Sequence, residues 1–555
     1  MKAHRNDGVR RLAAPQRSLL LIAPLAIFLL LACVALDRPG LHYDEALEAG
    51  LPALELLLGR PVTVPNGVAL RLWGRELPLM VQNHIGATQV YAALPFVLIG
   101  GPEAISLRLM TVVVGALTIV AVSLFLVQVY GRMAAFYGGL WLATFSSFVF
   151  WSRQGVFVTS LAICFATWAL AAGAYWWRTG RSWAAGAAGL CFGLAIYSKL
   201  SALWLLNGLV GWWLISTLAA WLRARHGDLP ASPLPDRRAL IIGVAGLLAG
   251  IWPFLLYNLR SGAATLDVIE RSATRTYLGT SNLDIPGNLL IRLAQAADVV
   301  RSGSHLWYLG GSFPNDLALA WVLAALLFLI VDCARRRWQD WRRQLLGPFL
   351  ALAVILQSCY TISALWPTHF AVAAPLPAII VGAAAGRIFD APIGASPFVT
   401  RLARQAAMLL LALALASQIL TSLSYLRSVI STGGLSFHSS AIYELTDYLK
   451  QRGKPVLALD WGIAAQVEYL SGGEVQVEEH YRYEQQPSGP DAELIASLNS
   501  DRLYVTHAPG QEAFPGRATF LSAAAAVGLR AEPVRVLRGA DGLPLIEVWQ
   551  LRELP

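Results

Sequence analysis

Two adjacent acids, Asp44 and Glu45, stand in the stretch LHYDEALEAG, directly after an apolar run from about Ser18 to Leu36. A carboxylate placed at a membrane boundary can take a proton from a hydroxyl acceptor. An acidic pair can also occupy the first turn of a helix, where it favours the dipole and where Asp44 can serve as a cap. Both readings are open for this motif, and they are compatible. Further groups of useful chemistry recur near the ends of apolar runs. Arg71, Arg75, Glu76, Asn83 and His84 follow in the same intervening stretch, Arg153 lies in WSRQG, and Lys199 lies in YSKLSA. His369 follows Trp366–Pro367, while Arg271, Arg275, Arg301 and His305 lie in the long stretch 258–315. Cations of this kind can hold a phosphate leaving group. A carboxylate with a histidine can hold a hard divalent ion, although such sites need more ligands than the sequence displays. Ionisable groups near a bilayer are costly to place, but Arg and Lys at span ends also snorkel to the interface.

The elements that must position these groups follow from composition. The chain has 555 residues, 56% hydrophobic and 14% charged, too little charge to cover a soluble domain of that size. Nineteen Trp and 17 Tyr suit anchoring at both membrane interfaces. The net charge of +9 therefore points to loop arginines and not to nucleic acid. Five cysteines, without CxxC spacing, read as packing residues and not as a metal cluster or disulfide framework.

Apolar runs long enough to cross a bilayer fall at approximately 18–36, 104–129, 133–151, 155–177, 183–199, 201–222, 239–257, 316–332, 346–363, 367–386 and 405–425, about eleven in all. The segment 84–100, interrupted by Pro95 and Gly100–Gly101–Pro102, reads as a juxtamembrane or re-entrant helix. With residues 1–17 as a cytoplasmic tail carrying Arg10, Arg11 and Arg17, every inter-span basic cluster falls on the cytoplasmic side. These clusters include Arg178 and Arg181, the RRRWQDWRR run at 335–343, and Arg401 and Arg404. The loops 37–103 and 258–315, and the residues from 426 to 555, are then expected outside. That tail reads as a small α/β domain: KPVLALDWG, DRLYVTHAP and LPLIEVWQL as buried strands, and SSAIYELTDYLKQRG as an amphipathic helix ending at Gly453.

The stretches HYDEALEAG, LPLMVQNHIGATQVYAALPFVLIGGPEAISLRLM, FVFWSRQG, GLAIYSKLSALWLL and WPTHFAVAAPLPAI resemble the GT-C integral-membrane glycosyltransferases, in the superfamily of protein O-mannosyltransferases and aminoarabinose transferases. The resemblance spans most of residues 18–425 and implies a polytopic helical domain that moves a sugar, with inversion, from a polyprenyl-phosphate donor. The acceptor would be a protein, lipid or glycan on the extracytoplasmic face of the cell membrane. It implies Asp44 as the general base with Glu45 beside it, and Lys199 and Arg153 near the donor phosphate. Arg75, Glu76, His84, His369 and His305 would line the site. The chain has RELPLM where relatives carry a KPP element, which leaves Glu76 and His84 as weak metal candidates and a divalent ion as an open expectation. A transporter or flippase of lipid-linked glycans, or a non-catalytic assembly subunit, are rival classes. The first would show inverted repeats, and no internal repeat is evident.

Overall fold

The computed structural model describes residues 14–225, 236–390, 396–481, 492–514 and 516–553. The tail arginines Arg10 and Arg11 lie outside these residues. All eleven apolar segments are helical in whole or large part. The helices at 104–129, 160–179, 200–222, 237–260, 316–335 and 397–432 are each long and apolar enough to cross a membrane, and two bent pairs raise the count to at most eight. The other three of the eleven expected segments, the helices at Ser182–Ser198 and Leu346–Gln357 and the apolar part of the first helix, are too short to qualify alone. One bent pair breaks by 61° between Arg132–Thr144 and Ser146–Arg153, and the other by 41° between Pro367–Ala373 and Pro375–Asp390.

Small residues set the closest helix crossing. The Ser182–Ser198 and Arg237–Arg260 helices meet so tightly that a Cβ on Gly189, Gly193, Gly246 or Gly250 would collide with a carbonyl of the facing helix. This is the close approach that glycine rows give where lipid supplies no hydrophobic drive. It holds the C-terminal end of Ser182–Ser198, and hence Lys199, in place.

Two short hairpins lie between the first span region and the Thr88–Gly100 helix: β1 (Ala69–Leu72) with β2 (Arg75–Pro78), and β3 (Met80–Gln82) with β4 (Ile85–Gly86). The segment expected to be juxtamembrane or re-entrant is this 13-residue helix. After Thr432 the chain builds a five-stranded sheet from β5 (Val456–Ala458), β6 (Val477–Glu479), β7 (Leu503–His507), β8 (Leu529–Arg538) and β9 (Pro544–Glu553). Their order is β6-β5-β7-β9-β8, with β5 parallel to both neighbours and β9 antiparallel to both of its own. The helix Ala441–Arg452 ends at Gly453 in the left-handed region, φ 59°, the conformation that favours glycine at a helix end.

This sheet region docks on the stretch that holds the acidic pair. Tyr43 donates to Glu479 at 2.8 Å, Tyr443 donates to the Asp37 carbonyl at 2.7 Å, and Gly40 N–H donates to the His438 carbonyl at 2.7 Å. A ring cluster of His42, Phe157, His438 and Trp461 fills the seam.

Candidate active site

The acidic pair divides into two unlike environments. His42, not Asp44, caps the short helix: its Nδ1 accepts the Asp44 backbone N–H at 3.1 Å. Glu45 closes the capping box by accepting the His42 N–H at 2.9 Å. Glu45 is fully buried and receives Arg108 through Nε at 3.2 Å and Nη2 at 3.0 Å, with Gln154 Nε2 at 3.3 Å. Arg108 spends its remaining donors on the carbonyls of Leu36, Pro39 and Gly40. Glu45 is thus an anchor of the loop and has no route to a substrate.

Arg153 is the second anchor, which corrects its expected place at a donor phosphate. It is 1% exposed, and its two terminal nitrogens donate to the carbonyls of Leu31, Val34, Ala35 and Arg38. Two buried arginines thereby bind seven carbonyls between residues 31 and 40 and fix the exit of the first helix. Backbone carbonyls leaving a helix need such donors when water is excluded.

Asp44 is left over from this scaffold. Its side chain is 30% exposed, its nearest basic atom is His42 Nδ1 at 3.8 Å, and among the described residues its carboxylate accepts no hydrogen bond. One helical turn further on stands Glu48, which sequence reasoning passed over. A short π-helical turn, Ala46–Gly50, carries it, and the i, i+4 spacing brings the two acids to neighbouring positions. Gln82 and Gln89 donate to separate Glu48 oxygens at 2.8 and 2.7 Å. Burial, and then the Asp44 charge, push the Glu48 carboxyl up to about 8, against the opposite pull of Lys199 and the Gln89 amide.

Lys199 joins these acids from more than a hundred residues away in sequence. It follows the Ser182–Ser198 helix in extended conformation and forms an antiparallel bridge with Ile85. Tyr197 donates to the Leu79 carbonyl at 2.8 Å and Thr88 donates to Ser198 at 2.9 Å, so the 79–88 segment is laced to the lysine's end of the helix. Gly86 is required there, because a Cβ would overlap the Tyr197 carbonyl and ring. Burial pushes the Lys199 ammonium below its usual range, while Glu48 and Asp44 draw it back up. Its ammonium makes no hydrogen bond or salt bridge among the described residues.

His84 and His369 complete the cluster. Burial, with Lys199 second, pushes His84 down to about 4, so its ring is neutral at physiological pH. His369 lies within the electrostatic reach of both Lys199 and His84, and its Nδ1 is 2.9 Å from Arg292 Nη2. Asp44, Glu48, His84 and His369 thus all lie within the electrostatic reach of Lys199: two acids and two imidazoles around one cation.

Three other expected residues stand elsewhere. Arg75 donates to the Leu56 carbonyl at 3.1 Å, and Glu76 pairs with Arg71 at 2.8 Å across the β1–β2 hairpin. His305 is held between Asp298, 3.0 Å from Nδ1, and Ser147, 3.1 Å from Nε2, and it packs on Trp151. None of the three shares the cluster. Of the two metal candidates, Glu76 is engaged by Arg71 and stands away from His84; both Glu48 oxygens accept from glutamine amides. Among the described residues no three His, Cys, Asp or Glu side chains form a ligand set.

Arg108 and Arg292 were also missed. Each carried a signal: Arg108 is a lone charge in the apolar stretch ISLRLMTVVV, and Arg292 sits between Ile291 and Leu293. A charge inside an apolar run implies a buried partner or a site.

Comparison with known proteins defines the class. The fold matches two crystal structures of ArnT from Cupriavidus metallidurans, one bound to undecaprenyl phosphate and one in the apo state. For the first, the TM-score is 0.58 at 15% identity over 97% of this chain and 98% of that one. For the second, it is 0.58 at 14% identity over 96% and 98%. The apo oligosaccharyltransferase of Archaeoglobus fulgidus matches with TM-score 0.51 at 13% identity, over 94% of this chain and 70% of that one. Residues 90–233 match the family model described as dolichyl-phosphate-mannose-protein mannosyltransferase. No curated protein matches the sequence. The chain therefore has the GT-C fold of integral-membrane glycosyltransferases.

Proposed function

We propose that this protein transfers a glycosyl group, hexosyl or pentosyl, from a polyprenyl-phosphate donor to an acceptor at the extracytoplasmic membrane surface. The observation that carries the reading is that the 82–89 segment joins Glu48, through Gln82 and Gln89, to Lys199, through the Ile85 bridge, with Asp44, His84 and His369 within electrostatic reach of the lysine. The undecaprenyl phosphate in the ArnT structure supports a lipid phosphate as the leaving group. An isoprenoid tail stays in the bilayer, so its phosphate must meet cations at the membrane boundary. Lys199 is the cation with free valence for that task.

In the reaction, an acceptor oxygen attacks the anomeric carbon from the side opposite the phosphate. The bond from that carbon to the phosphate oxygen breaks and the configuration inverts. Asp44 takes the acceptor proton, and polyprenyl phosphate leaves with its charge met by Lys199. Glu48 is electrostatically coupled to both Asp44 and Lys199, so its ionisation near pH 8 changes the field on both. Arg108 and Arg153 do not touch substrate and act by holding the loop that carries Asp44. The sheet region after Thr432 clamps the same loop through the Tyr43–Glu479 and Tyr443–Asp37 hydrogen bonds.

The test is a panel of radiolabelled polyprenyl-phosphate sugars offered to membranes carrying the wild type, Asp44→Asn or Lys199→Met. Label should move only with the wild type, and the two variants should insert normally. Unchanged transfer by Asp44→Asn would overturn the assignment of the base.

A further inference from the structure

His369 receives a hydrogen bond from a residue that can only donate. Arg292 is fully buried, and its Nε donates to the Ser358 carbonyl at 2.8 Å. Its Nη1 donates to Gln295 Oε1 at 2.8 Å and to the Trp366 carbonyl at 3.0 Å, and its Nη2 points at His369 Nδ1 at 2.9 Å. Gln295 is itself tied to the Leu365 carbonyl, and the guanidinium lies over the Phe370 ring, 5.5 Å from its centre. The guanidinium is therefore gripped on several sides and cannot turn away.

A guanidinium stays protonated and has no acceptor atom. The imidazole nitrogen facing it must then carry a lone pair, so Nδ1 has no proton. An imidazolium, with N–H on both nitrogens, would place two donors against each other. His369 is left with one form, neutral with its proton on Nε2. The charged and titratable neighbours on the packed elements are Arg292, Lys199 and His84, and it is Arg292 whose Nη2 faces Nδ1. The Trp204 ring meets the imidazole edge-on, 6.3 Å between centres.

We infer that Arg292 is a positioning residue that locks His369 in the Nε2–H form, making it a neutral hydrogen-bond donor to a phosphate oxygen beside Lys199. The lock also bars His369 from the metal-ligand role, because a ligating Nε2 needs the proton on Nδ1. This rests on the lipid-phosphate reading for the identity of the phosphate, but not for the lock itself.

The two parts separate experimentally. Histidine-15N spectra of the full chain in nanodiscs, with the His369 signals assigned by their loss in His369→Gln, should show a bare Nδ1 and a protonated Nε2. That pattern should persist from about pH 5 to 8, where an ordinary histidine titrates. A protonated Nδ1, or conversion to imidazolium in that range, overturns the lock. Binding of undecaprenyl phosphate, read by tryptophan fluorescence, should weaken about 10-fold or more in His369→Asn and in Arg292→Gln. It should be kept within a few-fold in His369→Gln, whose amide nitrogen can stand where Nε2 stood. Inorganic phosphate is the second probe: competition marks the phosphate alone as the recognised group, and no competition marks the lipid headgroup in its membrane setting. Should the lock be seen while wild type and His369→Asn bind undecaprenyl phosphate equally, the donor role is overturned and the lock stands.

Discussion

Asp44 and Glu45 are neighbours of the same charge, yet exchanging each carboxylate for its amide should have opposite consequences. Glu45→Gln leaves Arg108 as an uncompensated charge with 0% exposure on either side chain of the former pair. Removing one partner of a buried ion pair costs about 3–5 kcal/mol, a factor of about 100–5000 in the folded-to-unfolded ratio. Part of that loss should return in Glu45→Gln/Arg108→Met, because the orphaned charge is gone; the return is incomplete because the Leu36, Pro39 and Gly40 carbonyls lose their donor. Asp44→Asn, on a side chain 30% exposed with no hydrogen bond to lose, should stay within about 0.5 kcal/mol of wild type. Its transfer rate should fall about 100- to 10,000-fold if it is the general base. Denaturant or thermal unfolding in nanodiscs, followed by intrinsic tryptophan fluorescence, gives the first quantity, and label transfer gives the second. Glu45→Gln that folds as well as wild type but fails to turn over would refute the division into anchor and base. So would Asp44→Asn that unfolds as readily as Glu45→Gln.

Other outcomes follow from the same geometry. The Glu48 carboxyl is raised from 4.5 to about 8 in the folded state, so folding favours its protonated form; its contribution to stability is full below about pH 4.5 and is lost as pH rises toward 8. Glu48→Gln should flatten the stability profile across that window, and a profile of unchanged slope would count against the burial of this group. Arg153→Met should strand the carbonyls of Val34 and Ala35 and lower thermal stability strongly while leaving undecaprenyl-phosphate affinity per folded molecule within a few-fold. Gly193→Leu should force the Ser182–Ser198 and Arg237–Arg260 helices apart, costing both stability and the placement of Lys199. Tyr43→Phe removes one bond to Glu479 and should cost about 1 kcal/mol, measured by the same unfolding assay.

The helical bundle and the strands of the C-terminal region were legible because both rest on local pattern. Twenty apolar residues need a helix in lipid, and KPVLALDWG, DRLYVTHAP and LPLIEVWQL carry enough β-branched and apolar residues to form buried strands. The span count was less legible, because protein contacts rather than lipid bury many apolar residues and allow short helices such as Leu346–Gln357. Among site residues, Asp44, Lys199, His84 and His369 could be named from type and position, and the other three lie within electrostatic reach of Lys199. Arg153, Glu45 and His305 could not be sorted from them, since a chain of letters does not say whose carbonyls or carboxylates will meet a given side chain. Glu48 escaped for the converse reason: an acid inside a helix start reads as dipole complement until Gln82 and Gln89 arrive from the next segment.

What separates the two sets of charged groups is how completely the protein satisfies them. Arg108, Arg153 and Arg292 are as buried as any apolar residue in the bundle, and each spends its donors on fixed carbonyls or side chains. Such groups hold backbone in place and would resist a ligand, since a phosphate would have to outcompete several short, pre-set hydrogen bonds. Lys199 and Asp44 are also drawn toward the low-dielectric interior, but among the described residues neither charged group has a hydrogen-bond partner. A partly buried ammonium without a hydrogen-bond partner is costly for the empty protein, and a substrate phosphate would relieve that cost. The unspent valence of Lys199 and Asp44 therefore marks the place where binding energy is available for chemistry, whereas the fully spent arginines mark the frame that keeps it there.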